Sequence, residues 1–173
     1  MNDFYQQEEQ APVKKKRPVF LLVLVILSSI NISVSLLGSF SGMLGAKPDA
    51  KMIKQAKLEF ANMREQLEEG GAADFTYIID QMESVTDNMF KHFQAYNSVQ
   101  FLILVLGLTG VILLYQRKKL GFHFYIIYSL GLVVLPYLFN PITGIPTVLT
   151  IVGIIYGGLW VFLYSRNLHW MEV

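Results

Sequence analysis

The sequence contains no cysteine, which excludes a disulfide framework, a cysteine-ligated metal site and a cysteine nucleophile. Charged residues are also scarce. Only 16% of the 173 residues are Asp, Glu, Lys or Arg, and 53% are hydrophobic, whereas an ordinary soluble domain has about 25% charged residues. The composition therefore favours a membrane protein over a soluble domain.

Four long stretches contain no Asp, Glu, Lys or Arg. They are residues 18–46, 98–116, 120–140 and 146–165. Each has about the 20 residues that a helix needs to cross the hydrocarbon core of a bilayer. A soluble domain of this size could not bury four helices that are apolar on every face. The sequence therefore predicts an all-α membrane protein with four transmembrane helices.

Basic residues predict the orientation of these spans. The cations outside the central insert are Lys14, Lys15, Lys16 and Arg17 before the first span, Arg117, Lys118 and Lys119 between the second and third, and Arg166 after the fourth. Short basic segments next to a span stay on the cytoplasmic side. We therefore expect cytoplasmic tails at 1–17 and 166–173, and an outward-facing segment at 47–97.

The insert at 47–97 has helical periodicity on both sides of a Gly70-Gly71 pair. Its apolar positions alternate in steps of three and four: Ile53, Ala56, Phe60, Met63 and Leu67, then Phe75, Ile78, Met82, Val85, Met89, His92 and Tyr96. This alternation is typical of a coiled-coil seam. We therefore expect an extracytoplasmic antiparallel helical hairpin that turns at the glycine pair.

The hairpin carries more apolar area than one two-helix seam can cover. The residues responsible are Phe75, Ile79, Phe90 and Phe93. Several seam positions are methionine, whose flexible side chain suits adaptable contact surfaces. Either the hairpin folds back onto the bundle or a second protein covers it, so these four residues are candidate partner-binding positions. A hairpin that satisfies its own seam and has no partner is the alternative.

Small residues recur at four-residue spacing in two spans. Gly38, Gly42 and Ala46 form such a row in the first span, and Gly153 and Gly157 form another in the fourth. Rows of small residues let helix backbones approach closely, so we assign all five to helix packing. The first span is also rich in serine and contains Asn31, and a polar path along it is the alternative. Sites that move ions usually carry an acid or a base in the membrane, and this span has neither.

No residue of the sequence is assigned to catalysis, to a cofactor or to a metal. His92, His123 and His169 do not have metal-ligand spacing. His123 is expected at the interface, at the inner end of the third span, so Ser28 and Ser29 have no histidine or aspartate inside the membrane that would complete a catalytic dyad. We therefore expect a protein that is not an enzyme and that has no cofactor.

The C-terminal third carries two short motifs, a basic-Gly-aromatic start of the third span and a terminal Y-x-x-N-L-x-x-M. Their residues are Lys118, Lys119, Gly121, Phe122 and Tyr125, then Tyr164, Asn167, Leu168 and Met171. In these motifs the chain resembles a loose group of small four-span inner-membrane proteins of Bacteroidota. The resemblance implies a bacterial inner (cytoplasmic) membrane and implies no known activity.

These features favour a non-enzymatic accessory or scaffold subunit of a larger membrane complex. It would dock through its small-residue helix faces and its hairpin onto a membrane-protein partner. A small transporter or channel, formed by oligomerisation around the Ser/Asn-rich first span, is the alternative. An intramembrane enzyme is the third hypothesis. The expected surroundings are the lipid bilayer and a membrane-protein partner, without nucleic acid.

Overall fold

The computed structural model describes residues 18–45 and 47–171. In this part of the chain the regular elements are all helical. The α-helices are α1 (Val19–Leu44), α2 (Ala50–Glu69), α3 (Thr76–Lys91), α4 (Phe93–Tyr115), α5 (Leu120–Val134) and α6 (Thr147–Ser165). Short 3₁₀ turns lie at Ala73–Phe75, Leu135–Leu138, Ile142–Gly144 and Leu168–Trp170. The predicted all-α class is confirmed.

Four of the described helical segments are long and apolar enough to cross a membrane. They are Val19–Leu44, Phe93–Tyr115, Leu120–Leu138 and Thr147–Trp170. Each overlaps one of the uncharged stretches of the sequence, so the prediction of four spans is confirmed. The second span starts at Phe93 rather than at 98, because α4 follows α3 after the single residue His92. The tail 1–17, Ala46 and residues 172–173 lie outside the described residues.

α4 is the central helix of the bundle and packs against α1 on one side and α5 on the other. Its approach to α5 depends on glycine. A Cβ atom on Gly121 would lie only 2.6 Å from the carbonyl oxygen of Gly110, and a Cβ on Gly107 would lie 2.5 Å from the ring of Tyr128. These three glycines therefore let α4 and α5 meet nearly backbone to backbone.

α6 packs against α5 and touches α1 only sparsely. A Cβ on Gly153 would lie 3.6 Å from Val133, and one on Gly157 would lie 3.5 Å from Ser129. These are ordinary van der Waals distances, so α5 and α6 are further apart than α4 and α5. The looser packing of α6 leaves space between α1, α5 and α6.

α2 and α3 form an arm, residues 50–91, outside the four candidate spans. Its turn ends α2 with Gly71 at φ 73°, a conformation that favours glycine. The amide of Ala72 donates to the carbonyl of Leu67, and that of Gly71 donates to Glu68. These two bonds are those of a Schellman motif, so the glycine pair is the turn of the arm.

Three ion pairs hold α2 against α3. Arg64 lies 2.7 Å from Asp80 and 2.6 Å from Glu83, and Lys57 lies 3.5 Å from Asp87. Arg64, late in α2, pairs with residues early in α3, whereas Lys57, earlier in α2, pairs with the later Asp87. The two helices therefore run antiparallel. Hydrogen bonds to Glu83 and Asp80 raise the pKa of the Arg64 guanidinium above its usual value.

The α4–α5 contact can be tested by adding bulk at Gly121. The Gly121→Val variant places a branched side chain against backbone atoms that cannot yield easily. We expect it to lose at least about 1–3 kcal/mol of stability, measured as a lower midpoint in thermal size-exclusion chromatography in detergent. Gly158→Val is the control, because a Cβ at Gly158 would meet no atom within 4 Å. Equal losses of stability in the two variants would contradict a close contact between α4 and α5 at Gly121.

Candidate functional site

A cavity of about 450 Å³ lies between α1, α5 and α6. One wall, on α5 and the 3₁₀ turn that follows it, runs from Tyr125 to Tyr137, and the wall on α6 runs from Leu149 to Trp160. The helical rise gives the first wall a length of about 18 Å. We call this cavity the cleft. Its volume is in the range of small-molecule binding pockets, and its shape is elongated along the helix axes.

The cleft opens sideways between α1 and α6. Several residues that line it are also exposed on the outside of the bundle, namely Leu27 and Asn31 on α1 and Leu149 and Tyr156 on α6. They form its rim, while the less exposed α5 forms its floor. Because α1 and α6 both belong to candidate spans, this opening would face the hydrocarbon if the spans cross a bilayer.

A cluster of buried hydroxyl groups lies at one end of the cleft. The Tyr164 hydroxyl donates to Ser28 Oγ at 3.0 Å, and Ser28 Oγ lies 3.4 Å from the Tyr125 hydroxyl. The Tyr125 and Tyr164 rings pack with their centroids 4.7 Å apart. We call these three residues the hydroxyl cluster. It connects α1, α5 and α6 through side chains that satisfy one another, as buried polar groups in an apolar bundle must.

The turn between α5 and α6 lies at the other end of the cleft. There Ile145 and Pro146 are buried, and the Tyr137 hydroxyl lies 2.5 Å from Thr150 Oγ1. Val85 of α3 also lines the cleft. Together these residues close the cleft at the end nearest the arm.

Hydrogen bonds fix α3 over that turn. Asn88 Nδ2 donates to Asn140 Oδ1 at 2.9 Å, and Gln81 Nε2 donates to the carbonyl of Thr143 at 3.2 Å. Asn140 in turn donates to the carbonyl of Pro136 at 2.9 Å. The second helix of the arm therefore folds back onto the bundle, one of the two arrangements that the apolar surplus of the insert allows.

Residues that line the cleft are apolar, aromatic, hydroxyl-bearing or amide-bearing, and none is Asp, Glu, Lys, Arg or His. Several of its polar side chains make no side-chain hydrogen bond within residues 18–45 and 47–171. They include the Asn31 amide and the hydroxyl groups of Tyr128, Ser129 and Tyr156. The cleft can therefore offer hydrogen bonds to an uncharged molecule, but it has no charge with which to hold an ion.

The residues predicted for helix packing lie in different environments. A Cβ on Gly38 would meet no atom of the described residues within 4 Å, while one on Gly42 would lie 2.5 Å from the Asn97 side chain of α4. Gly153 and Gly157 face α5 and also line the cleft. Ala46 lies outside the described residues.

The four candidate partner-binding residues also differ in exposure. Ile79 is only 8% exposed, because the chain itself covers most of this side chain, and its role at a partner surface stays a prediction. Phe90 and Phe93 are half-buried, and Phe93 belongs to the span α4. Phe75 is 54% exposed and is joined by Tyr77, also 54% exposed, which the periodicity did not single out.

Single variants of the hydroxyl cluster should separate its two hydrogen bonds. Tyr164→Phe removes one donor and leaves Ser28 beside Tyr125, so we expect a loss of about 1 kcal/mol. Ser28→Ala leaves two buried tyrosine hydroxyls without this partner, and we expect a larger loss, about 1–3 kcal/mol for each unsatisfied group. Thermal unfolding in detergent measures both, with Ser33→Ala, exposed on the same helix, as the control. If Ser28→Ala loses no more stability than Tyr164→Phe, Ser28 is not the shared hydrogen-bond partner of the two tyrosine hydroxyls.

Comparison with known proteins gives one family match. The model of a domain of unknown function (DUF8777) matches residues 14–148. The match covers the arm and helices α1 to α5, and it ends at the start of α6. No curated protein and no solved structure matches the chain.

Proposed function

We propose that this chain, which belongs to the DUF8777 family, is a non-enzymatic accessory or scaffold subunit of a larger inner-membrane complex. It docks onto a membrane-protein partner through its arm. The observation that carries this proposal is a set of exposed apolar side chains that lie outside the four spans.

The exposed apolar residues of the arm lie mainly on α2 and at its turn. They are Met52, Leu58, Met63, Phe75 and Tyr77, each between 41% and 55% exposed. No residue of α2 is buried. Exposed apolar residues within a span face lipid, but those outside a span face water unless something covers them. Contiguous patches of such residues mark interaction sites, and Phe75 and Tyr77 lie two residues apart beside the turn of the arm.

Polar contacts hold the two helices of the arm together and hold α3 on the bundle. Arg64 holds α2 on α3 through two carboxylates, and Asn88 holds α3 on the turn before α6. Surface ion pairs contribute little to stability on their own. In the arm, the ion pairs of Arg64 fix the position of α2 along α3, because α2 has no buried residue that would do so. This supports docking by a surface that is formed before the partner binds.

The chemistry of the described residues supports a role without catalysis. They include no group of three or more His, Cys, Asp or Glu side chains that could hold a metal ion. Within the bundle, Ser28 bonds only to tyrosine hydroxyls, and no base lies beside it. A nucleophile without a base and an orienting group does not form a catalytic site.

A small transporter is the second candidate, and one observation favours it. Asn31 lies at the middle of the first span and lines the cleft, where a polar solute could contact it. The cleft is bounded by the hydroxyl cluster at one end and by the turn before α6 at the other. A cleft closed at both ends can bind a solute but does not let it cross the membrane. A path for transport would therefore need a second copy of the chain.

Paired substitutions on the arm test the docking proposal. Phe75→Ser combined with Tyr77→Ser removes two exposed aromatic rings, and we expect the amount of stoichiometric partner that co-purifies from native membranes in mild detergent to fall at least about tenfold. Aromatic anchors are worth about 2 kcal/mol or more at interfaces. Glu68→Ser combined with Glu69→Ser, at the same end of the arm, is the matched control. Equal partner recovery from both variants would contradict docking through the arm, and a complex of this chain alone would favour the transporter.

The orientation is tested by single cysteines in a chain that has none. We propose that both termini face the cytoplasm and the arm faces the periplasm, because the basic segments favour the cytoplasm. A membrane-impermeant thiol reagent should label Gly70→Cys in cells with a permeable outer membrane and an intact inner membrane. Gln116→Cys should be labelled only after the inner membrane is opened. The reverse pattern would invert the orientation.

A further inference from the structure

We propose that the cleft binds a neutral membrane-soluble amphiphile with a carbonyl-bearing headgroup and an apolar tail. Isoprenoid quinones and diacylglycerols have this chemistry. The site is separate from the exposed surface of the arm, so the proposal does not depend on docking.

The shape of the cleft suits a molecule that arrives through the bilayer. Its walls follow α5 and α6 for about 18 Å, which is the length of an extended chain segment rather than of a compact solute. Its rim at Leu27 and Tyr156 is exposed on the outside of the bundle. A ligand can therefore enter sideways from the hydrocarbon without passing through water.

The polar groups of the cleft exclude a purely apolar occupant. The Asn31 amide and the Tyr128 hydroxyl both line the cleft and make no side-chain hydrogen bond within the described part of the chain. A polar group left unpaired in hydrocarbon costs several kcal/mol. A ligand with carbonyl oxygens can accept hydrogen bonds from both groups, whereas a saturated tail or an apolar helix can satisfy neither.

The depth of Asn31 excludes most ordinary phospholipid contacts. This residue lies at the middle of α1, which runs from Val19 to Leu44. The helical rise places it about 18 Å from either end of the helix. A charged headgroup holds the ester carbonyls of a phospholipid near the membrane surface, whereas a molecule without a charged headgroup can bring its carbonyl groups deeper at lower cost.

Charge also restricts the occupant. No Asp, Glu, Lys, Arg or His lines the cleft. An ionised ligand would lie in a low-dielectric environment without a counter-charge, which is strongly unfavourable. The neighbouring aromatic side chains Tyr156 and Trp160, with ring centroids 6.3 Å apart, offer flat apolar surfaces to a headgroup instead.

Trp160 supplies a direct readout of occupancy. The chain has two tryptophans, Trp160 in the cleft and Trp170 beyond α6. The full chain with Trp170→Phe, reconstituted in lipid vesicles that contain no other protein, therefore reports tryptophan fluorescence from the cleft alone. Three probes are titrated: a short-chain ubiquinone analogue, a dibrominated diacylglycerol and a dibrominated phosphatidylcholine. Quinones and bromine atoms both quench tryptophan fluorescence.

We expect saturable quenching by the quinone, by the diacylglycerol or by both, beyond the quenching that phosphatidylcholine gives. Whichever of the two binds more tightly identifies the headgroup. Phosphatidylcholine quenching equal to that of the other probes would mean that bulk lipid fills the cleft, and it would overturn the proposal.

Matched variants locate the binding site. Gly157→Leu fills the cleft and should raise the dissociation constant at least about tenfold. Gly158→Leu is the control on the same helix, since a Cβ there meets nothing within 4 Å, and its dissociation constant should change less than about twofold. Unchanged binding in Gly157→Leu would place the ligand elsewhere and overturn the proposal.

Asn31→Leu tests the polar recognition. Asn31 is exposed, so this variant should fold even if Gly157→Leu does not. We expect a roughly fivefold to tenfold rise in the dissociation constant, the effect of losing one hydrogen bond. Ser33→Leu, also exposed on α1 and not part of the cleft lining, is its control. An Asn31→Leu variant that binds as tightly as Ser33→Leu would overturn recognition of a carbonyl group.

Discussion

The hydrogen bond from Tyr164 to Ser28 joins α6 to α1, and the position of α6 in the bundle depends on it. α6 has few other contacts with α1. The bond fixes one end of α6 against the core formed by α1, α4 and α5, while Gly153 and Gly157 set the distance of its remainder from α5. The cleft is the space that these two constraints leave.

Glycine acts differently at the two helix contacts of α5. Toward α4, Gly110 and Gly121 remove side chains where the backbones nearly touch, and Gly107 leaves room for the ring of Tyr128. That tight contact holds α5 rigidly as the floor of the cleft. At the contact with α6, Cβ atoms on Gly153 and Gly157 of α6 would lie at ordinary van der Waals distances from α5. Glycine therefore leaves space at this contact and does not bring the two backbones together.

The sequence predicts the spans well because the absence of charge over about 20 residues is a local property. It also predicts the turn at Gly70-Gly71. It does not predict the cleft, because Ser28 and Tyr164 are distant in the chain and both read as ordinary membrane residues. Gly38 and Ile79 show the same limit. Periodicity tells which residues share a helix face, but not whether that face meets another part of the chain, which covers Ile79 and leaves Gly38 open.

The arm and the cleft meet at one helix. α3 contributes Val85 to the cleft and carries Asn88, which bonds to Asn140 in the turn before α6. A protein bound to the arm and a molecule bound in the cleft would therefore both act on α3. If either shifts that helix, the effect on the other must be reciprocal, because coupling between two binding equilibria has a single free energy. The hydrogen bonds from Asn88 to Asn140 and from Gln81 to Thr143 are the polar contacts through which such coupling would pass.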